Sequence, residues 1–309
     1  MTTADLVSVA SDNAVTRRER HRQSRYRELV LGLPAGQDAR RRTLGNYLAP
    51  DEWRRNFLSE EAADYARSRA DEVSREGGRL EKNRLFTNML SSMPLCFSVF
   101  GHLRAHPRSA VAVLNDLLGL DLVGLVGIDV RGRRIAGIEC EWAPDRRDHL
   151  RDGTAFDAVV AGRLADGRSQ LIAVETKYVD GFSRDPASEA ADEKYDCWCR
   201  TFGMADGAFA ELGGHATRQL LRNVLLTESV RRGGRAGGGP VFDEAVTVVL
   251  AREDDAAARD AVDAVAGQRG RMRTEVRHVA HGELADAASR VAELGTWAAE
   301  FRRRYVADC

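Results

Sequence analysis

The chain has 309 residues, 43% of them hydrophobic and 30% charged, which gives enough apolar material for one large α/β core or for a core with a helical extension. No run of about 18 apolar residues occurs, which excludes a membrane-spanning helix, and a net charge of −1 excludes the bulk basicity by which many nucleic-acid binders hold phosphate. Cys96, Cys140, Cys197, Cys199 and Cys309 are odd in number and irregularly spaced, which excludes a disulfide framework; without a basic start and apolar core after Met1, the expected compartment is the cytoplasm.

Residues 1 to about 12 lack periodicity and are expected to be disordered. Ser11 or Asp12 then caps a basic helix reaching about Leu31, where Gly32-Leu-Pro34-Ala-Gly36 breaks it. Its arginines, Arg17, Arg18, Arg20, Arg22, Arg25 and Arg27, make either a solvated face or a phosphate track, the former being the commoner outcome for such runs. Arg40, Arg41 and Arg42 form a second cluster. Ser59 before Glu60 and Glu61 opens a second helix, with Ala62, Ala66, Ala70 and Val73 at helical spacing and Gly77-Gly78 as its stop. A third starts near Leu80, with Leu85, Phe86, Met89 and Leu90 on one side. Pro94 is expected to interrupt it, and residues 95–101 follow as a dense apolar packing segment. A helix over 107–118, buried through Ala110, Val113, Leu114 and Leu117, ends an N-terminal helical region of residues 1–120.

The sheet is expected to start near Leu122 and to take in residues 134–142. Alternate side chains share a strand face, so Glu139 and Glu141 project together, opposite Ile138, Cys140 and Trp142. Either can be an acid of a site, and both can equally be exposed edge carboxylates. Asp152-Gly-Thr-Ala-Phe-Asp157 leads into an apolar strand, Ala165-Asp166-Gly167-Arg168 makes a hairpin turn, and Leu171-Ile-Ala-Val-Glu175-Thr-Lys177-Tyr178 returns. Glu175 and Lys177 share a face with Leu171 and Ala173, whereas Ile172, Val174 and Thr176 point the other way. With Asp157 leaving the neighbouring strand at the matching height, two carboxylates and the Thr176 carbonyl offer the oxygen donors that Mg²⁺ takes. Lys177 stands beside them, placed to orient an attacking water or to stabilise charge developing on a phosphate. Of 46 basic residues only Lys82, Lys177 and Lys194 are lysine, and one of the three ends this strand. Asp192-Glu-Lys194 repeats the spacing, but no apolar strand leads into it.

The order Asp157, hairpin, apolar strand, Glu175-Thr-Lys177 resembles the PD-(D/E)XK nuclease superfamily, also called restriction-endonuclease-like. Glu141-Trp-Ala-Pro, Asp152 to Asp157 and Glu175 to Tyr178 together resemble a bacterial branch of it. Ser91-Ser-Met-Pro-Leu-Cys-Phe97 extends the likeness across most of the chain. The resemblance implies an α/β fold, a mixed sheet flanked by helices over residues 121–309. It implies a phosphodiesterase that uses Mg²⁺, or Mn²⁺ in its place, and leaves a 5′-phosphate. Nucleic acid is the implied partner, with DNA the expected one and restriction or defence the expected role. Asp157 and Glu175 become metal ligands, and the resemblance singles out Glu141 as the assisting acid. It also implies a polar side chain reaching the site from the following helix, which Gln219 and Arg222, three apart on one face, fit. A homodimer suits double-strand cutting. The alternative is an inactive nucleic-acid-binding or regulatory module with the same fold.

Beyond Tyr178, residues 180–186 read as a loop and 187–213 as an irregular segment with short helical pieces that approaches substrate. A helix over 215–230 is buried through Leu220, Leu221, Val224 and Leu225. Residues 233–240 form a Gly-rich loop that lacks the lysine and the strand-loop-helix context of a phosphate cradle. A buried strand over 245–251, an amphipathic helix over 255–266, an alternating strand over 272–280 and one closing helix over 284–305 complete the chain. Cys197-Trp-Cys199 has no second pair and only His215 downstream, so core or surface thiols are expected there instead of zinc. Arg133, Arg134, Arg146, Arg147 and Arg151 flank the proposed site, and the group near Arg146 reads as facing substrate.

Overall fold

The computed structural model describes residues 9–76, 78, 80–182, 189–214, 216–234 and 239–306. The expected disorder of the first eight residues, Gly77, His215, Cys309 and parts of the loops after Asp180 and Gly233 lie outside the described residues.

Helix α1 (Ala14–Arg25) is capped by Asn13, one residue after Asp12 and two after Ser11, the expected caps, and runs on into a π-helical turn, Tyr26–Val30. After a 3-10 helix, Pro50–Asn56, comes α2 (Glu60–Arg75), whose cap is Ser59, its hydroxyl accepting from the Ala62 N–H. Short helices α3 (Lys82–Phe86), α4 (Ser92–Cys96) and α5 (His102–Ala105) precede α6 (Pro107–Leu118). Pro94 does not interrupt a helix as expected. It lies in the first turn of α4, where N–H groups need no intrahelical acceptor, and Ser91 caps that turn. The apolar run after it continues as a π-helical turn, Phe97–Gly101, buried on all sides.

Strands β1 (Leu122–Leu125), β2 (Gly127–Val130), β3 (Arg133–Ala136), β4 (Ile138–Trp142), β5 (Phe156–Leu164) and β6 (Ser169–Thr176) follow. The single strand expected over 134–142 is two. β3 pairs with β2 in a separate hairpin, and only β4 joins the main sheet. Then come α7 (Glu189–Phe202), α8 (Ala208–Leu212), α9 (Arg218–Arg231), β7 (Glu244–Ala251), α10 (Ala256–Gly267), β8 (Glu275–Ala280), α11 (His281–Ser289) and α12 (Gly295–Tyr305). Residues 189–202, expected to be irregular, form one helix whose Tyr195, Cys199 and Phe202 are buried at helical spacing. The closing helix is two, divided by a 3-10 turn at Ala292–Leu294.

The main sheet is mixed. β5 and β6 form the expected antiparallel hairpin, with Gly167 at φ +89° in the turn, and β7 and β8 extend it in parallel. The other edge of β5 is shared: β4 pairs with its first half and β1 with its second. The β2–β3 hairpin thus interrupts one edge position of the sheet.

Strand alternation divides the core in two. Ile172, Val174, Val246 and Val248 face one way, against Ala62, Ala66, Leu95, Phe97, Val99 and Phe301. Leu171, Ala173, Ala245 and Val249 face the other way, against Tyr195, Leu221, Val224 and Val262. The N-terminal helices therefore share a core with the sheet instead of standing apart from it, and only Tyr26, Leu48 and Met89 form a small cluster of their own. Burying each such side chain contributes on the order of 1.5–3 kcal/mol, so this roof is a major part of what holds the sheet. Among the described residues no helix is long and apolar enough to cross a membrane.

Candidate active site

The site forms where β4, β5 and β6 lie side by side. Cys140 pairs with Ala158 and Trp142 with Phe156, which sets Glu141 across from Asp157. Ala158 pairs with Val174, and the next step of that register sets Asp157 across from Glu175. Glu141, Asp157 and Glu175 thus form a row of three acids across three neighbouring strands.

Each is held differently. Asp157 Oδ2 accepts the Thr176 N–H at 2.7 Å, and the Cys96 thiol donates to its backbone carbonyl at 3.3 Å. Glu175, 4% exposed, accepts from Gln219 Nε2 at 2.7 Å and Asn223 Nδ2 at 2.5 Å, both on α9. Lys177 Nζ lies 2.6 Å from Glu175 Oε1, 3.1 Å from Gln219 Oε1 and 4.7 Å from the Phe182 ring centre. Behind Lys177, its N–H donates to the Leu250 carbonyl at 2.7 Å, and His281 Nε2 donates to its carbonyl at 3.1 Å.

Glu141 adopts the left-handed backbone region at φ +50°, an unfavourable conformation for a residue with a Cβ. That turn breaks the expected alternation of β4. Trp142 packs with Phe156 on the face opposite Ile138 and Cys140, while Glu139 accepts from Tyr65 at 2.8 Å, away from the row. The expectation that Trp142 shares a face with Ile138 and Cys140 is corrected accordingly.

The row carries more negative charge than the protein neutralises. Burial pushes the Asp157 carboxyl well above the usual carboxylate range, and Glu175 and Glu141 push it further. Burial, then Glu175, raises Glu141 to about 7. One ammonium faces three carboxylates, and a divalent cation with hard oxygen preference would relieve the excess. The residues present therefore fit Mg²⁺ or Mn²⁺, with Asp157, Glu175 and Glu141 as donors. The Thr176 side chain points into the opposite core, where its buried hydroxyl oxygen lacks a hydrogen-bond partner, while its N–H serves Asp157.

Of the expected site residues, Asp157, Glu175, Lys177, Glu141 and Gln219 come together. Arg222 is directed to Thr154 Oγ1, at 3.0 Å, ahead of β5. Asn223 stands on Glu175 instead. The spacing of four between Gln219 and Asn223 was readable, since both three and four are neighbour spacings on a helix. Lys194 lies on α7 and pairs with Asp152 at 3.3 Å. Of the arginines in α1 and its π-helical extension, Arg20, Arg22 and Arg27 serve internal partners, whereas Arg25 is exposed. Arg20 bonds Asp12 at 2.6 Å, Arg22 the Val306 carbonyl at 2.7 Å and Arg27 the Gly45 carbonyl at 2.8 Å. Arg133 pairs with Glu76 at 2.6 Å and Arg147 with Asp145 at 2.8 Å. Cys199 is buried and Cys197 exposed, both as free thiols.

Among the described residues, one group of three ligand-bearing side chains places its ligand atoms all within 4.8 Å of one another, and it is not the acid row: Glu61, His102 and His106.

No curated protein and no solved structure matches the chain. A family model does, the PD-(D/E)XK nuclease superfamily, over residues 10–307. That span takes in the hairpin, its Asp157 and Glu175-Thr-Lys177, and both helical layers around it, and the chain belongs to the PD-(D/E)XK nuclease superfamily.

Proposed function

We propose that this protein is a divalent-cation-dependent endonuclease acting on DNA in the cytoplasm, in a restriction or defence role. The observation that carries the reading is the row of Glu141, Asp157 and Glu175 across adjacent strands, with Lys177 beside it. Asp157, Glu175 and Glu141 would hold Mg²⁺ or Mn²⁺, with the Thr176 carbonyl as a further oxygen donor. When bound, the ion supplies Lewis-acid polarisation of the phosphoryl oxygen.

The chain's own residues do the positioning. The Thr176 N–H fixes one oxygen of Asp157, and Gln219 and Asn223 fix both oxygens of Glu175. Lys177 Nζ, held by Gln219, donates to an attacking water or to the charged phosphate oxygens as the phosphodiester bond breaks. Arg222 lies one residue before Asn223, where it can meet the phosphate backbone of a bound strand. Two copies acting together would cut both strands of a duplex.

The test is cleavage of supercoiled plasmid by wild type, Lys177→Ala and Asp157→Asn, each with Mg²⁺, Mn²⁺ and EDTA. The expected result is nicking or linearisation that needs a divalent ion, with each variant slower by roughly 100-fold or more. The close Lys177–Glu175 pair also suits a second reading, a nucleic-acid-binding module of the same fold without turnover. DNA retained by the wild type and by Asp157→Asn, with no cleavage by either, would decide for that module.

A further inference from the structure

Where the helical run over 92–105 meets α2, Gly101 removes the obstacle to close approach. A Cβ at that position would stand 3.2 Å from Ala62 Cα, tighter than carbon atoms normally pack, so the two backbones are nearly in contact. The next residue, His102, is thereby set onto the first turn of α2. It is 8% exposed, with Nδ1 3.0 Å from Ser59 Oγ and its ring stacked on Trp297 at 5.4 Å, the planes 1° apart. Four residues later, just past the end of α5, the His106 ring centre lies 4.5 Å from that of His102. Glu61 faces both from the first turn of α2.

We propose that Glu61, His102 and His106 bind a transition-metal ion of the zinc type, at a site separate from the acid row. Ligand atoms within 4.8 Å of one another need only a small adjustment to converge on one ion. Two imidazole nitrogens and one carboxylate oxygen suit Zn²⁺, with bonds of about 2.0–2.2 Å, whereas Mg²⁺ keeps to oxygen. His106 stands just past the end of α5, where the chain turns into α6, and this junction brings its ring back beside that of His102. Trp297 and Ser59 already fix the plane of the His102 ring, as the outer partners of a ligating imidazole do. Glu61 lies on the exposed side, which leaves a fourth tetrahedral position to water. The ion would pin the start of α2 to the junction of α5 and α6.

The test is titration of metal-free protein with Zn²⁺ by calorimetry, and with Co²⁺ by visible spectroscopy, for wild type, His106→Ala, Glu61→Gln and Asp157→Asn. One equivalent is expected in wild type and in Asp157→Asn, with the intense bands of tetrahedral Co²⁺. In His106→Ala and Glu61→Gln the affinity should fall by at least the roughly 10–100-fold that loss of even an outer partner costs. His106 is only partly buried, so its variant should keep the wild-type circular dichroism, which separates a lost ligand from a lost fold. No Zn²⁺ binding, binding indifferent to His106→Ala, or binding abolished by Asp157→Asn would each overturn the assignment.

Discussion

Glu228 on α9 is fully buried and Glu141 on β4 half-buried, and their surroundings treat the two carboxylates oppositely. Burial would raise Glu228, but bonds from Arg231 at 2.8 Å, Thr274 at 2.7 Å and Arg232 at 2.7 Å more than offset it and hold the carboxyl below its usual range. Glu141 has no such donors at its carboxylate among the described residues; burial and Glu175 raise it to about 7. Burial is common to both, so burial alone does not mark a working site. The balance of charge around the buried group does: Glu228 is closed within the protein, whereas the row containing Glu141 is left short of positive charge.

The largest expected effect tests the closed member. Glu228→Ala strands Arg231 in the core, and stability should fall by about 3–5 kcal/mol in urea unfolding. A loss below about 1 kcal/mol would mean that Glu228 is not the structural half of the comparison.

The open member predicts a pH dependence of the opposite kind. The folded-state value of Glu141 lies above its ordinary 4.5, so its contribution to stability is full below about 4.5 and is lost as pH rises through about 7. Asp157, raised for the same reason, acts in the same direction. Thermal melts should therefore show a decline on the order of 2–3 kcal/mol between acid and neutral pH. Mg²⁺ or Mn²⁺ should reverse it at neutral pH and do little in acid, and Glu141→Gln should flatten the profile. A metal-free protein equally stable at both pH values would remove the charge deficit from the argument.

The smallest effect sharpens the comparison at its boundary. Asn223 is on the same helix as Glu228 but serves the acid row, so Asn223→Ala should slow cleavage by roughly 10–100-fold. Its unfolding midpoint should shift far less than that of Glu228→Ala. A stability loss matching Glu228→Ala, with cleavage unchanged, would place Asn223 among the structural residues.

Much of this site was legible because strand alternation is rigid. Once the Asp166-Gly167 turn fixes the hairpin, Asp157, Glu175 and Lys177 can share only one face. What escaped depends on departures from regularity or on distant partners. The left-handed turn at Glu141 reverses Trp142 against its period, and no local residue announces it. Asn223 carried a readable spacing but no feature to rank it over Arg222; only the position of Glu175 decides that. The division of the sheet edge between β1 and β4 was hidden because the β2–β3 hairpin interrupts it. Residues 189–202 carry strong helix formers only in their first half, and from Tyr195 to Phe202 the burial of Tyr195, Cys199 and Phe202 supplies the stability that propensity does not.

The residue after Lys177 carries a further consequence, for the order in which the protein is made. Tyr178 donates to Glu19 at 3.0 Å and accepts from Gln23 at 2.7 Å, so α1 grips the end of β6. Gln23 in turn donates to the Arg304 carbonyl at 3.2 Å and accepts from the Arg304 side chain at 3.2 Å, across 281 positions of sequence. Arg304 completes the frame by donating to Asn56 at 2.8 Å. Contacts of such separation form only after the intervening chain has been ordered. A ribosome still holding the last turn of α12 holds back Arg304, and with it the clamp behind Lys177. β6 would therefore gain its final setting only after α12 has left the ribosome, and a shorter emerging chain would carry the acid row without the clamp behind it.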